Sequence, residues 1–202
     1  MKPPFRWSDR IEAVNGSTLP RLPYNPRMIP LFLGLSIANL ILLATVFGLG
    51  LFATDAQHKT TGVYSYHISL AFASGMMVLL THLAFYTYFM ATTKWLAAAS
   101  DKANFPMSRY ASPAYGAKRR AMRVAMTAIL LTMLAMFAGA AADPTVRPWW
   151  PGEVHMFAAI IAIVANAFCV WIESDMIKSQ RRLMDGALTE LNAMPGIRVE
   201  QT

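Results

Sequence analysis

His67 and His155 are the side chains best placed by type and position to do chemistry in this 202-residue chain. Each opens a long apolar stretch, and the two stretches run in the same direction, so both imidazoles are expected at one depth, near Glu153, Met156, Tyr64 and Tyr66. Neutral imidazoles at equal depth on separate helices are what a bis-imidazole haem or a small metal site requires. A three-ligand zinc or copper site would recruit Glu153 or Met156. A quinone near the pair is a further option, and the plain alternative is two interfacial histidines meeting water and headgroups.

His82 heads a second constellation. Projecting the apolar stretches onto a common depth brings it, with Thr81, level with Asn39, Thr132 and Asn166. Polar groups left unpaired in hydrocarbon cost several kcal/mol, about 2–7 on transfer scales, so these side chains are expected to face protein. They read either as a hydrogen-bonded lock between helices or as a ligand, proton or pigment site around His82. A second haem would need a second pair of axial ligands. His82 lies roughly 22 Å from the depth of His67 at 1.5 Å per residue and has no histidine at its level, which leaves Met133 as its one conceivable partner.

Other chemistry is missing from the sequence. There is no HExxH, no GxSxG and no Walker loop, and Glu153, Glu173 and Asp175 read as interfacial acids. Cys169 is the single cysteine, so neither an intramolecular disulfide nor a CxxC site can form. Four spans without an inverted repeat or Gly/Pro-broken helices do not fit a secondary transporter, and no internal repeat is legible.

Four uncharged stretches carry the histidines and their polar neighbours: Met28 to Thr54, Thr60 to Thr93, Val124 to Ala142 and Val154 to Ile172. Each is long enough to cross a bilayer core of about 30 Å as an α-helix. With 55% hydrophobic and 14% charged residues, the chain is too apolar for an ordinary soluble domain. The expected fold is all-α, an integral membrane four-helix transmembrane bundle. Residues 1–27 form a tail, 28–175 the transmembrane domain and 176–202 an amphipathic helical extension.

Charge sets the expected orientation. Lys and Arg number 5 before Met28, 1 between the first two spans, 7 from Lys94 to Arg123, 1 in the Asp143–Gly152 hairpin and 4 after Ile172. The positive-inside rule then puts both termini in the cytoplasm. The net charge of +7 follows from that bias, which removes the reason to invoke nucleic acid. No cleavable signal peptide is expected, since the prolines and scattered charges of residues 1–27 precede the first apolar run.

Details of the spans sharpen the picture. Phe85, Tyr86, Tyr88, Phe89 and Trp95 are expected to form an inner aromatic belt, with Trp149 and Trp150 at the outer interface. Small residues one turn apart (Gly34 and Ala38, Ala71 and Gly75, Ala135 and Gly139, Ala158 and Ala162) are expected where helices approach closely. Beyond the last span Met176, Leu183, Leu188 and Leu191 continue at helical spacing toward Pro195-Gly196, a face that would dock on a neighbouring subunit or the inner leaflet.

Missing chemistry and long, proline-rich and amphipathic tails together point to a non-catalytic accessory or structural subunit of a larger membrane complex, respiratory or photosynthetic. The alternative is a small electron-transfer protein binding one b-type haem, metal or quinone near His67 and His155. The expected surroundings are the lipid bilayer of a bacterial inner membrane and other membrane subunits.

Overall fold

The computed structural model describes residues 28–54 and 60–194. The proline-rich tail, most of the Asp55–Thr61 connection and the Pro195-Gly196 terminus fall outside them. Four α-helices make up the described residues: α1 Met28–Gly50, α2 Tyr64–Lys102, α3 Ala111–Ala141 and α4 Gly152–Asn192, with one isolated bridge between Thr54 and Thr60. All four are long and apolar enough to cross a membrane.

The described residues fall into two compact units. The first comprises residues 28–54, 60–87 and 120–177, and it is arranged as a protein in lipid must be. Its outer surface carries the large apolar side chains, among them Ile41, Phe72, Met133, Phe137 and Phe168, each more than half exposed. Its interior is mostly small and polar, with Phe32, Leu43, Val78, Phe85, Val170 and Ile177 as the larger apolar side chains buried there. Along α3 the buried seam reads Ala121, Ala125, Ala128, Thr132, Ala135, Ala138, one residue every three or four. A soluble bundle would bury the large side chains and expose the small ones. Where lipid tails are as apolar as leucine, close backbone approach and buried hydrogen bonds supply cohesion instead.

The expected small pairs are only partly used this way. Met136 lies against Gly75 and His155 against Gly139, but Gly34 and Ala38 face outward, because Phe32, Ser36 and Asn39 take the inner face of α1. Phe32 meets Phe85 at 5.7 Å between ring centroids. Phe85 is therefore a core residue, contrary to the aromatic belt expected from sequence.

Both connections on the histidine side of this unit are tied down. Thr61 donates its amide to Ala53 and its hydroxyl to Phe52. In the second, Trp149 and Trp150 return their amides to the Ala141 carbonyl at the end of α3. Asp143 accepts from the Thr145 amide and hydroxyl and from the Tyr64 hydroxyl, which joins the start of α2 to the α3–α4 connection.

The second unit comprises residues 88–119 and 178–194. The end of α2 turns sharply here: Asn104 takes φ 53°, Phe105 donates to the Ser100 carbonyl, and Asn104 donates to Asp101. That pattern is a helix-closing motif in which asparagine tolerates the left-handed conformation, and it drops Phe105 into an apolar core. The core is Trp95, Leu96, Ala99, Phe105, Tyr110, Ala114, Met184, Ala187 and Leu191, with Leu183 and Leu188 packed at its edge. The apolar face of the C-terminal extension is thus covered by the chain's own residues. Tyr88, Phe89 and Trp95 are likewise buried and form no interfacial belt. Glu190 clamps the edge, accepting from Tyr110 Oη and Arg109 Nη1, both at 2.7 Å. Burial, then the carboxylate at its hydroxyl, push the Tyr110 phenol above its ordinary range.

Candidate functional site

Two polar clusters lie inside the first unit. In the outer one, nearer the α1–α2 and α3–α4 connections, the rings of His67 and His155 lie with centroids 6.1 Å apart and planes at 69°. His67 Nδ1 lies 3.0 Å from the Val46 carbonyl oxygen, and His155 Nδ1 lies 3.1 Å from that of Ala135. A carbonyl oxygen only accepts, so each Nδ1 carries a proton, and the neutral form of each ring has its lone pair at Nε2. A backbone hydrogen bond fixing tautomer and ring orientation is the usual second partner of a metal-ligating histidine.

Each ring rests on a glycine. A Cβ on Gly50 would stand 2.9 Å from His67 Cε1, and one on Gly139 would stand 2.9 Å from His155 Cε1. In both cases the glycine follows the accepting carbonyl by one turn, and in both cases the histidine is the fourth residue of its helix. The α1–α2 hairpin and the α3–α4 hairpin therefore repeat one local arrangement, although their sequences read as unrelated. Histidines apart, what repeats is a missing Cβ and a main-chain acceptor, which leave almost no mark in side-chain types.

Of the residues expected around the pair, Tyr64 is committed to Asp143, while Glu153, Met156 and Tyr66 are exposed. No group of three or more His, Cys, Asp or Glu side chains able to hold a metal ion occurs among the described residues. Zinc would want three or four protein ligands. Haem wants two, since the macrocycle supplies four nitrogens.

The inner cluster is built around His82, which is fully buried. Its Nδ1 lies 2.7 Å from Glu173 Oε1 and its Nε2 lies 3.2 Å from Asn166 Oδ1. Asn166 Nδ2 donates to Thr132 Oγ1 at 2.9 Å and to the Ala162 carbonyl at 2.8 Å. The structure so joins three of the residues expected at one depth, His82, Thr132 and Asn166. Thr81 instead donates back to Met77, and Asn39 is buried with neither amide atom bonded. Met133 is 61% exposed on the outer surface and cannot serve His82 as a ligand.

Glu173 is the residue that sequence reasoning misplaced. Next to Asp175 and Lys178 it reads as part of a charged exit from the membrane, yet its side chain is 0% exposed. Its seven-residue spacing from Asn166 is the signal that could have found it, because two helical turns bring a side chain back to the same inner face. Comparison with family models, with curated proteins and with solved structures returned no match, so the function rests on these two clusters.

Proposed function

We propose that this chain is a small membrane electron-transfer protein in which His67 and His155 would hold one b-type haem. The observation that carries the reading is the close pair of imidazoles whose Nδ1 atoms are both committed to main-chain carbonyls. Ring centroids 6.1 Å apart would allow both residues to hold one iron. Haem would supply one-electron chemistry. The protein would supply the two nitrogen donors, their orientation through Val46 and Ala135, and an apolar setting that tunes the potential.

The reading also takes in topology. Sixteen of the eighteen Lys and Arg residues fall before Met28, from Lys94 to Arg123 or after Ile172, which favours cytoplasmic termini in a bacterial inner membrane and a histidine pair near the outer face. An accessory-subunit reading rests on the missing chemistry together with proline-rich and amphipathic tails, and its positive support is the apolar face of the C-terminal extension. That face packs within the chain, so the histidine pair becomes the stronger guide.

A reduced-minus-oxidised absorbance spectrum of protein purified from haem-replete cells tests the proposal. Haem bands in the native protein, lost in both His67→Ala and His155→Ala with folding intact, are expected. Native protein free of haem bands, and unable to take up added haem, would overturn it.

A further inference from the structure

The directions of the hydrogen bonds around His82 can be assigned one by one. Thr132 Oγ1 gives its proton to the Ala128 carbonyl at 2.9 Å and so accepts from Asn166 Nδ2, whose other proton goes to the Ala162 carbonyl. The Asn166 amide is thereby oriented with Oδ1 toward His82, and His82 Nε2 must carry a proton. On the other side of the ring, Nδ1 and Glu173 Oε1 at 2.7 Å cannot face each other as bare lone pairs. One proton lies between them. The cluster then has no net charge whichever atom holds that proton, which is the form a low-dielectric interior accepts at least cost.

A lock between helices has no need of an ionisable partner. Glutamine at 173 would donate to Nδ1 and preserve the whole chain of hydrogen bonds. Glu173 adds an exchangeable proton and a second oxygen, Oε2, which is buried without a protein partner, as are Ser36 Oγ and both amide atoms of Asn39. The register set by Phe32 against Phe85 and Gly50 against His67 puts Ser36 opposite Thr81 and Asn39 opposite Val78, in the stretch of α2 that carries His82. Buried polar atoms of this kind take up ordered water.

Independently of the haem reading, we infer that His82 and Glu173 form a proton-binding centre that exchanges one proton with water at the carboxyl, while Asn166 keeps the far side of the ring closed. In a transient excursion the shared proton settles on the carboxyl, the hydrogen bond to Nδ1 lengthens and breaks, and rotation about the Cγ–Cδ bond carries the proton to the Oε2 side. There the O–H bond breaks toward water, which becomes hydronium and leaves the cluster with one negative charge. Return of a proton from water restores neutrality, and Nε2–H takes no part.

Full-length protein with 15N-labelled histidine, held in lipid nanodiscs, tests this after transfer to D2O. The His82 imidazole N–H signals are identified by their loss in His82→Asn. The Nδ1 proton should be replaced at least about ten-fold faster than Nε2–H, which opens only with the surrounding helices. In Glu173→Gln the Nδ1 proton should vanish while Nε2–H persists. Equal replacement rates at the two nitrogens would reduce the cluster to a structural lock, and an Nδ1 proton surviving in Glu173→Gln would show that it was never shared with the carboxyl. Should Glu173→Gln fail to fold, the two rates in the native protein decide.

Discussion

Alanine at position 139 would place a methyl carbon 2.9 Å from Cε1, 3.2 Å from Nδ1 and 3.4 Å from Nε2 of His155. Ordinary carbon contacts lie at about 3.5–4.0 Å, so the imidazole must retreat by roughly half an ångström or more. Its bond to the Ala135 carbonyl is already 3.1 Å long and does not survive that retreat. For folding, two effects oppose each other. The lost hydrogen bond costs about 0.5–1.5 kcal/mol, and alanine in place of glycine in a helix returns about 0.8–1.0 kcal/mol. Stability should therefore change by less than about 1 kcal/mol. Ligation has no such compensation, since removing the outer partner of a ligating histidine typically lowers metal affinity about 10–100-fold. Gly50→Ala should behave alike, because its Cβ meets His67 Cε1 at the same 2.9 Å. Gly48→Ala is the control, with nothing within 4 Å of its Cβ. The assay is haem titration of each full-length variant in detergent, followed by absorbance, with thermal unfolding in parallel. Equal haem affinity in Gly139→Ala and Gly48→Ala would refute the claim that the glycines admit and aim the rings. A loss of several kcal/mol in Gly139→Ala would mean that the ring has nowhere to go and the glycine is a packing requirement.

His82→Leu strands Glu173 Oε1 and Asn166 Oδ1 and should lower stability against detergent-induced unfolding by about 1–3 kcal/mol, whereas His82→Asn, which still offers a hydrogen-bonding group, should lose less. Leu191→Ala opens the core around Trp95 and Tyr110 and should cost about 2–5 kcal/mol, measured by chemical denaturation monitored through tryptophan fluorescence. Burial works to raise the Asp143 carboxyl, but hydrogen bonds from Tyr64 and Thr145 outweigh it and hold the group below its ordinary range. The stabilisation this gives is complete above the unfolded-state value near pH 4 and declines as pH falls through the lower folded value; Tyr64→Phe should flatten that acid limb of the melting curve. A cysteine placed by Thr145→Cys should be labelled by an impermeant maleimide from outside intact cells, while tags on either terminus stay protected; outside labelling of a terminus would reverse the charge-based orientation.

Where the sequence was legible, period and charge carried the information. Four apolar stretches became four helices, and His67 and His155 met because both open segments of the same direction. What stayed hidden depends on which side of a helix a residue takes. Phe85 and Phe89 look like an interfacial belt until the helix extends beyond them and buries them. Glu173 looks solvated because its neighbours in sequence are charged, while its neighbours on the helix face are Asn166 and Cys169. Gly50 and Gly139 pass for flexible ends of apolar runs, and their role appears only when a ring from another helix is laid over them.

The repeated hairpin also bears on what a single continuous chain makes possible. The residue as far beyond His155 as His82 is beyond His67 is Val170; Asn166 corresponds in the same way to Val78, and Glu173 to Phe85. Every polar member of the inner cluster thus faces an apolar counterpart in the other half, while the outer histidines match. A dimer of two identical hairpins would be obliged to set histidine level with histidine and glutamate level with glutamate, doubling any buried charge. Joining the halves in one polypeptide releases that constraint: one end of the bundle stays two-fold, suited to a ligand with two equivalent faces, and the other becomes a directed donor–acceptor pair that symmetry would forbid.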